Sequence, residues 1–312
     1  MIGARLLPLE VRPIEGRFIV TAKDKALPAD TDIRIGDEIV SVDGERLHDR
    51  VKRLWKYFTA STEPARLARV VHYALRGPRD SVAQLEILRA DGKSGTVKIV
   101  RTRTPPVYGA GAVWRVIPPG IGYIDLTRLT PEQVDEAMDA VKDTKALIFD
   151  MRGYPNGTGW AIAPRVNTKN ATVSAIFSRP EISVTTADMV ESRFSFEQGL
   201  ASTDKPKYTG RTVMLIDDRT ISQAEHTGLW FEAANGTKFI GSNSAGANGD
   251  TTDMVLPGGI YIVFTGHEVR HADGRQLQRI GLVPDVRVTP TIRGIRAGRD
   301  EVLDRAVEHL RK

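Results

Sequence analysis

Ser222 stands where an apolar run breaks and a helical pattern begins. The run is Val213-Met214-Leu215-Ile216. A polar turn, Asp217-Asp218-Arg219-Thr220, follows it, and then Ile221-Ser222-Gln223-Ala224-Glu225-His226. Four apolar residues in succession read as a strand buried on both faces, and residues 222–234 read as a helix. A serine at that junction has its hydroxyl beside the unpaired N–H groups at the positive end of the helix. Such a place suits a nucleophile whose product oxyanion needs stabilising. The same residues have a plainer reading: Ser222 and Glu225 form the S-x-x-E pattern of a capping box, in which the serine only starts a helix.

A serine attacks an acyl group near neutral pH only if a base takes its proton. His226 lies four residues after Ser222 and shares its helical face; its alternative role is that of an ordinary packed or surface histidine. His267 and His271 are also four apart, a spacing that holds a metal when both sit on a helix. Their segment follows a β-like run and ends at Asp273-Gly274, so it reads as a hairpin and no metal or other cofactor is expected. A second loop that could approach a ligand is Asp150-Met151-Arg152-Gly153-Tyr154-Pro155-Asn156-Gly157-Thr158-Gly159, where three glycines fall within seven residues.

The composition bounds the chemistry. The 312 residues are enough for two domains, and 41% hydrophobic with 27% charged residues is ordinary for a globular protein. The formal charge of +5 is spread along the chain without a dense basic block, which argues against nucleic acid as a partner. No cysteine is present, which excludes disulfides, thiolate metal sites and a cysteine nucleophile. No apolar run approaches the ~18 residues of a transmembrane helix. Residues 1–5 lack the apolar core of a secretory signal, so the sequence reads as cytosolic or as a mature or trimmed form.

The elements that must position these groups divide into two patterns. Residues 6–103 look like a small β-rich module. It has a strand at 17–22, turns at Gly36-Asp37 and Asp43-Gly44, and a hairpin over 81–89 and 96–101. Residues 102–112 have a linker composition, with Pro105-Pro106 and two glycines. Beyond it strands and helices alternate. Strands are expected at 121–126, 146–150, 213–216 and 238–241. One helix starts at Thr130-Pro131, and an amphipathic helix spans 299–312. That alternation argues a largely parallel sheet, with functional groups at the carboxyl ends of its strands.

Two resemblances follow. Ile35-Gly36-Asp37-Glu38-Ile39-Val40-Ser41-Val42-Asp43-Gly44 resembles the G-D-x-I-x-x-V-x-G signature of bacterial PDZ domains, which bind extended peptides at a sheet edge. Between Gly44 and Ser81 lie 36 residues with two helical patterns where a plain PDZ domain has one short helix, so the groove is expected to be altered or covered, and no groove residue is assigned. Next, Asp150-Met151-Arg152-Gly153-Tyr154-Pro155-Asn156-Gly157 resembles the D-L-R-G-N-P-G-G loop of the carboxy-terminal processing (tail-specific) serine proteases, relatives of the Tricorn core. The turn around Ser222 resembles their nucleophile turn. Gly241-Ser242-Asn243-Ser244-Ala245-Gly246, Leu256-Pro257-Gly258-Gly259 and Gly281-Leu282-Val283-Pro284-Asp285-Val286 resemble their later motifs, in the same order.

The resemblance implies an α/β (α+β) chain in two domains: a PDZ-like module over residues 1–104 and a ClpP/crotonase-like core with a largely parallel sheet over residues 105–312. It implies Ser222 as the nucleophile of a serine-type endopeptidase, with an acyl-enzyme intermediate and an oxyanion hole from the backbone N–H groups of Gln223 and Gly157. Asn156 stands where the family has the first glycine of a pair. Substrates would be proteins or peptides, an oligomer is compatible, and the location would be periplasmic or secreted.

The base departs from the pattern. Many members use a lysine just after the G-x-x-T-x-G segment, and this chain has Ala247 there, followed by Asn248. The Tricorn-like branch uses a histidine ahead of the PDZ module together with a glutamate. The sequence as given opens at the edge of that module, and Gln278 stands in the glutamate position. Gln278 can orient an imidazole but carries no charge. The base is therefore absent, upstream of this sequence, or another residue, with His226 the internal candidate. The alternatives to a peptidase are a relative that only binds peptides or ligands, and a serine esterase.

Overall fold

The computed structural model describes residues 3–102, 111–185 and 188–312. The chain forms two compact units, Met1–Gly111 with Thr289–Asp304, and Ala112–Val288 with Arg305–Lys312. The expected boundary at 104/105, and most of the expected linker at 102–112, lie outside the described residues. The return of Thr289–Asp304 to the first unit has no counterpart in the sequence patterns.

In the first unit β1 (Leu9–Ile14), β2 (Arg17–Lys23), β3 (Glu38–Val42), β4 (Glu45–Arg46), β5 (Val82–Leu88) and β6 (Ser94–Val100) form one sheet in the order β1-β2-β3-β5-β6, with β4 paired to β3. Every other residue of β5 is buried, the period-2 pattern of a sheet covered on one face. The cover is α1 (Leu47–Leu54), which buries Leu47, Val51 and Leu54, and α2 (Glu63–Ala74), which buries Val70, Val71 and Ala74. Between β3 and β4, Asp43 and Gly44 have φ of 53° and 81°. That is the double-positive turn whose twist suits a two-residue hairpin.

The second unit is built on β7 (Trp114–Ile117), β8 (Ile121–Asp125), α3 (Val134–Val141), β9 (Ala146–Asp150), α4 (Gly159–Val166), β10 (Val173–Thr185), β11 (Asp188–Gly199), β12 (Arg211–Ile216), α5 (Gln223–Asn235), β13 (Lys238–Gly241), β14 (Thr251–Leu256), β15 (Ile260–Thr265), β16 (Glu268–His271) and β17 (Val286–Arg287). The main sheet runs β17-β13-β12-β9-β8-β7, parallel throughout except for β7 at one edge. All five residues of β8 and of β9 are buried, the continuous apolar run that a parallel sheet covered on both faces requires. The long antiparallel pair β10–β11 continues through β16 as a second sheet. Two short helices close the chain, α6 (Ile292–Arg296) in the first unit and α7 (Glu301–Arg311). No helix among the described residues is long and apolar enough to cross a membrane.

Three neighbouring strands end the same way. Asp125, Asp150 and Asp217 close β8, β9 and β12, and each accepts the backbone N–H two residues on, from Thr127 (3.0 Å), Arg152 (3.2 Å) and Arg219 (2.9 Å). Each carboxylate is also paired with the arginine that follows, Arg128, Arg152 or Arg219. These turns send the chain sharply away at the carboxyl edge of the sheet, where the loops gather.

α5 is buried along nearly its whole length, and α4 packs on it through Gly159. A Cβ at Gly159 would lie 2.6 Å from Thr227 Oγ1 and 2.9 Å from the Trp230 ring, closer than packed side chains allow. Gly159→Val should therefore force α4 off α5 and cost about 2–4 kcal/mol. Urea unfolding of the variant beside the parent measures this; a change under about 0.5 kcal/mol would contradict the close approach.

Candidate active site

The site grows from the end of β12. Thr220, wholly buried, donates its hydroxyl to the Met151 carbonyl at 2.8 Å, accepts the Asp217 N–H at 3.1 Å, and offers its own carbonyl to the Ala245 N–H at 2.9 Å. One side chain and its carbonyl thus hold together the loops that follow β9, β12 and β13. The chain then reaches Ser222 with φ 55° and ψ −118°, a left-side conformation that costs a β-carbon residue roughly 1–3 kcal/mol. α5 begins at the next residue. The result is a half-exposed serine at a sharp strand-to-helix turn.

Glu225 explains how that turn is held. A cap residue at the start of a helix is usually wet, but Glu225 is wholly buried. Its Oε2 accepts the Ser222 N–H at 3.1 Å and the Ala247 N–H at 3.0 Å. Its Oε1 accepts the Ser244 hydroxyl at 2.5 Å and the Gly246 N–H at 2.7 Å. Burial pushes Glu225 above the usual carboxylate range, against the pull of these four donors. The capping pattern is present, and it also ties the turn to the loop after β13. That loop is tied in turn to the segment before β17: Ser244 Oγ accepts the Leu282 N–H at 2.7 Å, and the Arg279 N–H reaches the Gly246 carbonyl at 2.8 Å. Gly246 and Gly281 have φ of 68° and 80°, and a Cβ on either would meet the opposing backbone at about 3 Å or less.

The glycine loop comes alongside from β9. Asn156 turns its side-chain amide to the carbonyls of Thr127 (3.3 Å) and Leu129 (3.0 Å), so the residue that replaces a glycine clamps the loop. Gly157 then adopts φ 78°, and a Cβ there would sit 3.9 Å from Gln223 Nε2. Neither the Gly157 N–H nor the Gln223 N–H, the first of α5, donates to another group among the described residues. Two unengaged N–H groups next to a strained serine have the composition of an oxyanion hole.

Asp150 anchors this loop from below. It takes the Tyr123 hydroxyl at 2.9 Å and both ends of the Arg152 guanidinium at 2.6–2.9 Å. Burial alone would raise it, but the Arg152 charge and these hydrogen bonds outweigh burial and hold it below the usual carboxylate range. Burial first, and then the facing carboxylates Asp150 and Asp125, keep the Tyr123 phenol protonated.

His226 faces an aromatic wall of Trp230 (ring centroids 4.5 Å apart), Phe177 (5.6 Å) and Trp160 (6.4 Å). Its Nδ1 lies 3.3 Å from the Asn248 amide nitrogen, and Asn248 Oδ1 is committed to the Gly249 N–H. This network assigns the amide as donor and Nδ1 as acceptor, leaving the ring proton on Nε2. Burial pulls His226 down to about 4, slightly opposed by Asp250. Gln278 donates to the His267 carbonyl at 3.4 Å, and its Oε1 is buried without a partner. His267 Nδ1 lies 3.3 Å from an Asp250 carboxylate oxygen but makes no hydrogen bond, whereas His271, on a strand rather than a helix, bonds Glu232 at 2.5 Å. Among the described residues no hydrogen bond joins an imidazole to the Ser222 hydroxyl. The structure brings together Ser222, Gln223 and the Gly157 loop, and leaves His226 and Gln278 engaged elsewhere. Thr220, Ser244 and the Asn156 side chain escape sequence reasoning, since isolated small polar residues carry no spacing signal. The buried role of Glu225 was half visible in the S-x-x-E pattern.

Fold and site together are those of a peptidase core carrying a PDZ unit. Residues 120–288 match the model of peptidase family S41 and residues 4–108 that of a PDZ domain. The chain belongs to peptidase family S41. It is 23% identical over 286 residues to carboxy-terminal processing protease CtpA of Bacillus subtilis (strain 168), a match covering 89% of this chain and 54% of that protein. The chain thus spans about half the length of the curated relative it matches. Among solved structures, mature CPAF complexed with lactacystin superposes with a TM-score of 0.71 at 15% identity, over 97% of this chain and 82% of that one. A peptidase-like structure from Parabacteroides merdae ATCC 43184 gives 0.53 at 18% identity over 63% of each chain. At these identities the likeness is one of fold.

Two predictions follow from the site's electrostatics. His226 falls from 6.5 to about 4 on folding. Its neutral ring therefore contributes stability that is complete above pH 6.5 and is lost as pH falls toward 4, by up to about 3 kcal/mol. In His226→Phe that part of the acid destabilisation should vanish, as urea titrations at pH 4.5 and 7 will read. Glu225→Ala leaves four donors without their acceptor and should cost about 3 kcal/mol or more. An intact melting temperature in that variant would remove Glu225 from its structural role.

Proposed function

We propose that the chain is a serine-type endopeptidase in which Ser222 attacks the scissile carbonyl and forms an acyl-enzyme that water then hydrolyses. The observation that carries this reading is the backbone of Ser222. A non-glycine residue at φ 55° is a standing cost, and here it presents the hydroxyl beside the free N–H groups of Gly157 and Gln223. Those N–H groups would take the charge that develops on the carbonyl oxygen as the tetrahedral intermediate forms. The strands and Glu225 fix them beforehand, so no reorganisation is needed during the reaction.

Substrates are proteins or peptides. Supporting this, the first unit has a cavity of about 450 Å³ lined by Gly3, Ala4, Phe58, Arg69, Tyr73 and Arg76. Its two guanidiniums suit a peptide carboxylate, and its aromatic rings suit an apolar side chain.

A second reading, a peptide-binding relative without turnover, is favoured by one observation. His226 holds its proton on Nε2 and its Nδ1 against Asn248, so no described imidazole is set to deprotonate Ser222. Labelling with a fluorophosphonate between pH ~5 and ~9 separates the readings. The peptidase reading expects labelling that is lost in Ser222→Ala, together with cleavage of a protein substrate that the same substitution abolishes. Labelling without proteolysis, but with turnover of aryl esters, would make the chain an esterase. Neither labelling nor turnover, with C-terminal peptides still bound, would establish the binding protein.

A further inference from the structure

The second unit contains a buried carboxylate–imidazole pair that the chemistry at Ser222 does not use. Glu232 lies in the last turn of α5, two turns beyond Glu225, and meets His271 on β16. His271 Nδ1 bonds Glu232 Oε2 at 2.5 Å, and Arg275 Nη2 donates to Oε1 at 2.8 Å. The turn that carries both partners is itself closed: the His271 N–H reaches the Arg275 carbonyl, and the Gly274 N–H reaches the His271 carbonyl, each at 2.9 Å. Burial would raise the Glu232 carboxyl, but the bonds and charges of His271 and Arg275 outweigh it and hold it below the usual carboxylate range. Glu232 is therefore the acceptor and Nδ1 the donor. In the neutral ring the lone pair then sits on Nε2. That nitrogen makes no hydrogen bond among the described residues, although the side chain is only 5% exposed.

The His271 ring lines a cavity of about 350 Å³, a size that holds a small ligand. Its lining is of two kinds. Phe239, Ile280 and Val283 are apolar, and Ile280 and Val283 are left exposed by 42% and 45%. Glu232, His271 and Asp285 present lone pairs. Charge decides which ligand suits them. Glu232 and Asp285 line the cavity, and Asp273 bonds the guanidinium of Arg275 from its other side. Against these three carboxylates stand two cations, Arg275 and Lys238, both already paired with them. The excess is negative, and the carboxyl end of α5 adds to it. An incoming anion would be repelled. An incoming cation finds Nε2 free, and finds Glu232 and Asp285 with one donor on each oxygen among the described residues, so each oxygen can accept another.

We propose that this cavity binds a primary ammonium carried on an apolar stem, the chemistry shared by a lysine side chain and by the α-ammonium of a peptide that begins with an apolar residue. The ammonium donates to His271 Nε2 and to the Glu232 carboxylate, and the stem lies along Phe239, Ile280 and Val283. The site is separate from Ser222 but shares a wall with the structure that holds it. Gly281 lines the cavity, and a Cβ there would lie 2.4 Å from Ser244 Oγ. That hydroxyl bonds Glu225 and accepts the Leu282 N–H. A bound ligand therefore braces the segment against which the Glu225 loop is packed.

Calorimetric titration of the full chain with n-hexylammonium tests the proposal. It needs no turnover at Ser222, so its failure would leave the peptidase reading standing. The expected result is a Kd below about 1 mM, with hexanoate and hexanol weaker by at least about tenfold. Val283→Trp fills the cavity from an exposed position, and His271→Phe removes Nε2 while keeping a ring. Each should weaken hexylammonium binding by at least about tenfold. His271→Phe also strips Glu232 of a partner, and if it fails to fold, Val283→Trp decides the matter alone. Leucine amide and Nα-acetyl-lysine methylamide then distinguish the α-ammonium from the side chain as the natural source. On binding, hydrogen exchange at the Gly246 and Leu282 amides should slow. No binding at ten times the expected Kd would overturn the proposal. So would hexanoate binding as tightly as hexylammonium, or an affinity unchanged in Val283→Trp.

Discussion

One buried carboxylate holds the site together. Glu225 receives four donors from two different loops, and one of them is the backbone N–H of Ser222 itself. A carboxylate without water must have its lone pairs filled, so both loops can take only arrangements that bring their N–H groups to it. The loop after β13 carries no catalytic lysine in this chain, yet it is retained in close packing because it supplies three of the four donors. Ser244 extends the chain of bonds to Leu282, and through it the segment before β17 is fixed as well.

That rigidity is what a strained serine requires. A residue at φ 55° relaxes unless its neighbours over-determine it. Here the constraint comes from three sides: Glu225 on the Ser222 N–H, Thr220 on the strand ends, and a largely buried α5 beneath. Asn156 does the same for the glycine loop through two carbonyls. The two N–H groups left over, those of Gly157 and Gln223, donate to no acceptor among the described residues.

The ionisable groups around the site divide by how burial is answered. Asp150 is buried but matched by a guanidinium, and it stays charged. His226 is buried among aromatic rings with only an amide for company, and it stays neutral. The contrast matters for chemistry: a neutral imidazole can accept a proton only at a nitrogen whose lone pair is free, and the lone pair on Nδ1 is held by Asn248.

The main strands of the core and the helix after Ser222 are legible in the sequence. Their apolar runs are continuous where a parallel sheet buries both faces, so 146–150, 213–216 and 238–241 could be read almost to the residue. It also marked Ser222, through the abrupt change from apolar run to helical pattern, and the glycine loop, through its composition. The long β10–β11 pair, α4 and the β14–β15 hairpin were not legible, because what each packs against is distant in sequence or, for the hairpin, is no other strand among the described residues. Packing of distant segments makes Glu225 a buried hub rather than a surface cap, lets Asn156 clamp its loop, and turns the His226 ring to Asn248 although the residue shares a helical face with Ser222. Spacing along a helix fixes direction alone; a hydrogen-bond partner is set by what the rest of the fold brings within about 3 Å.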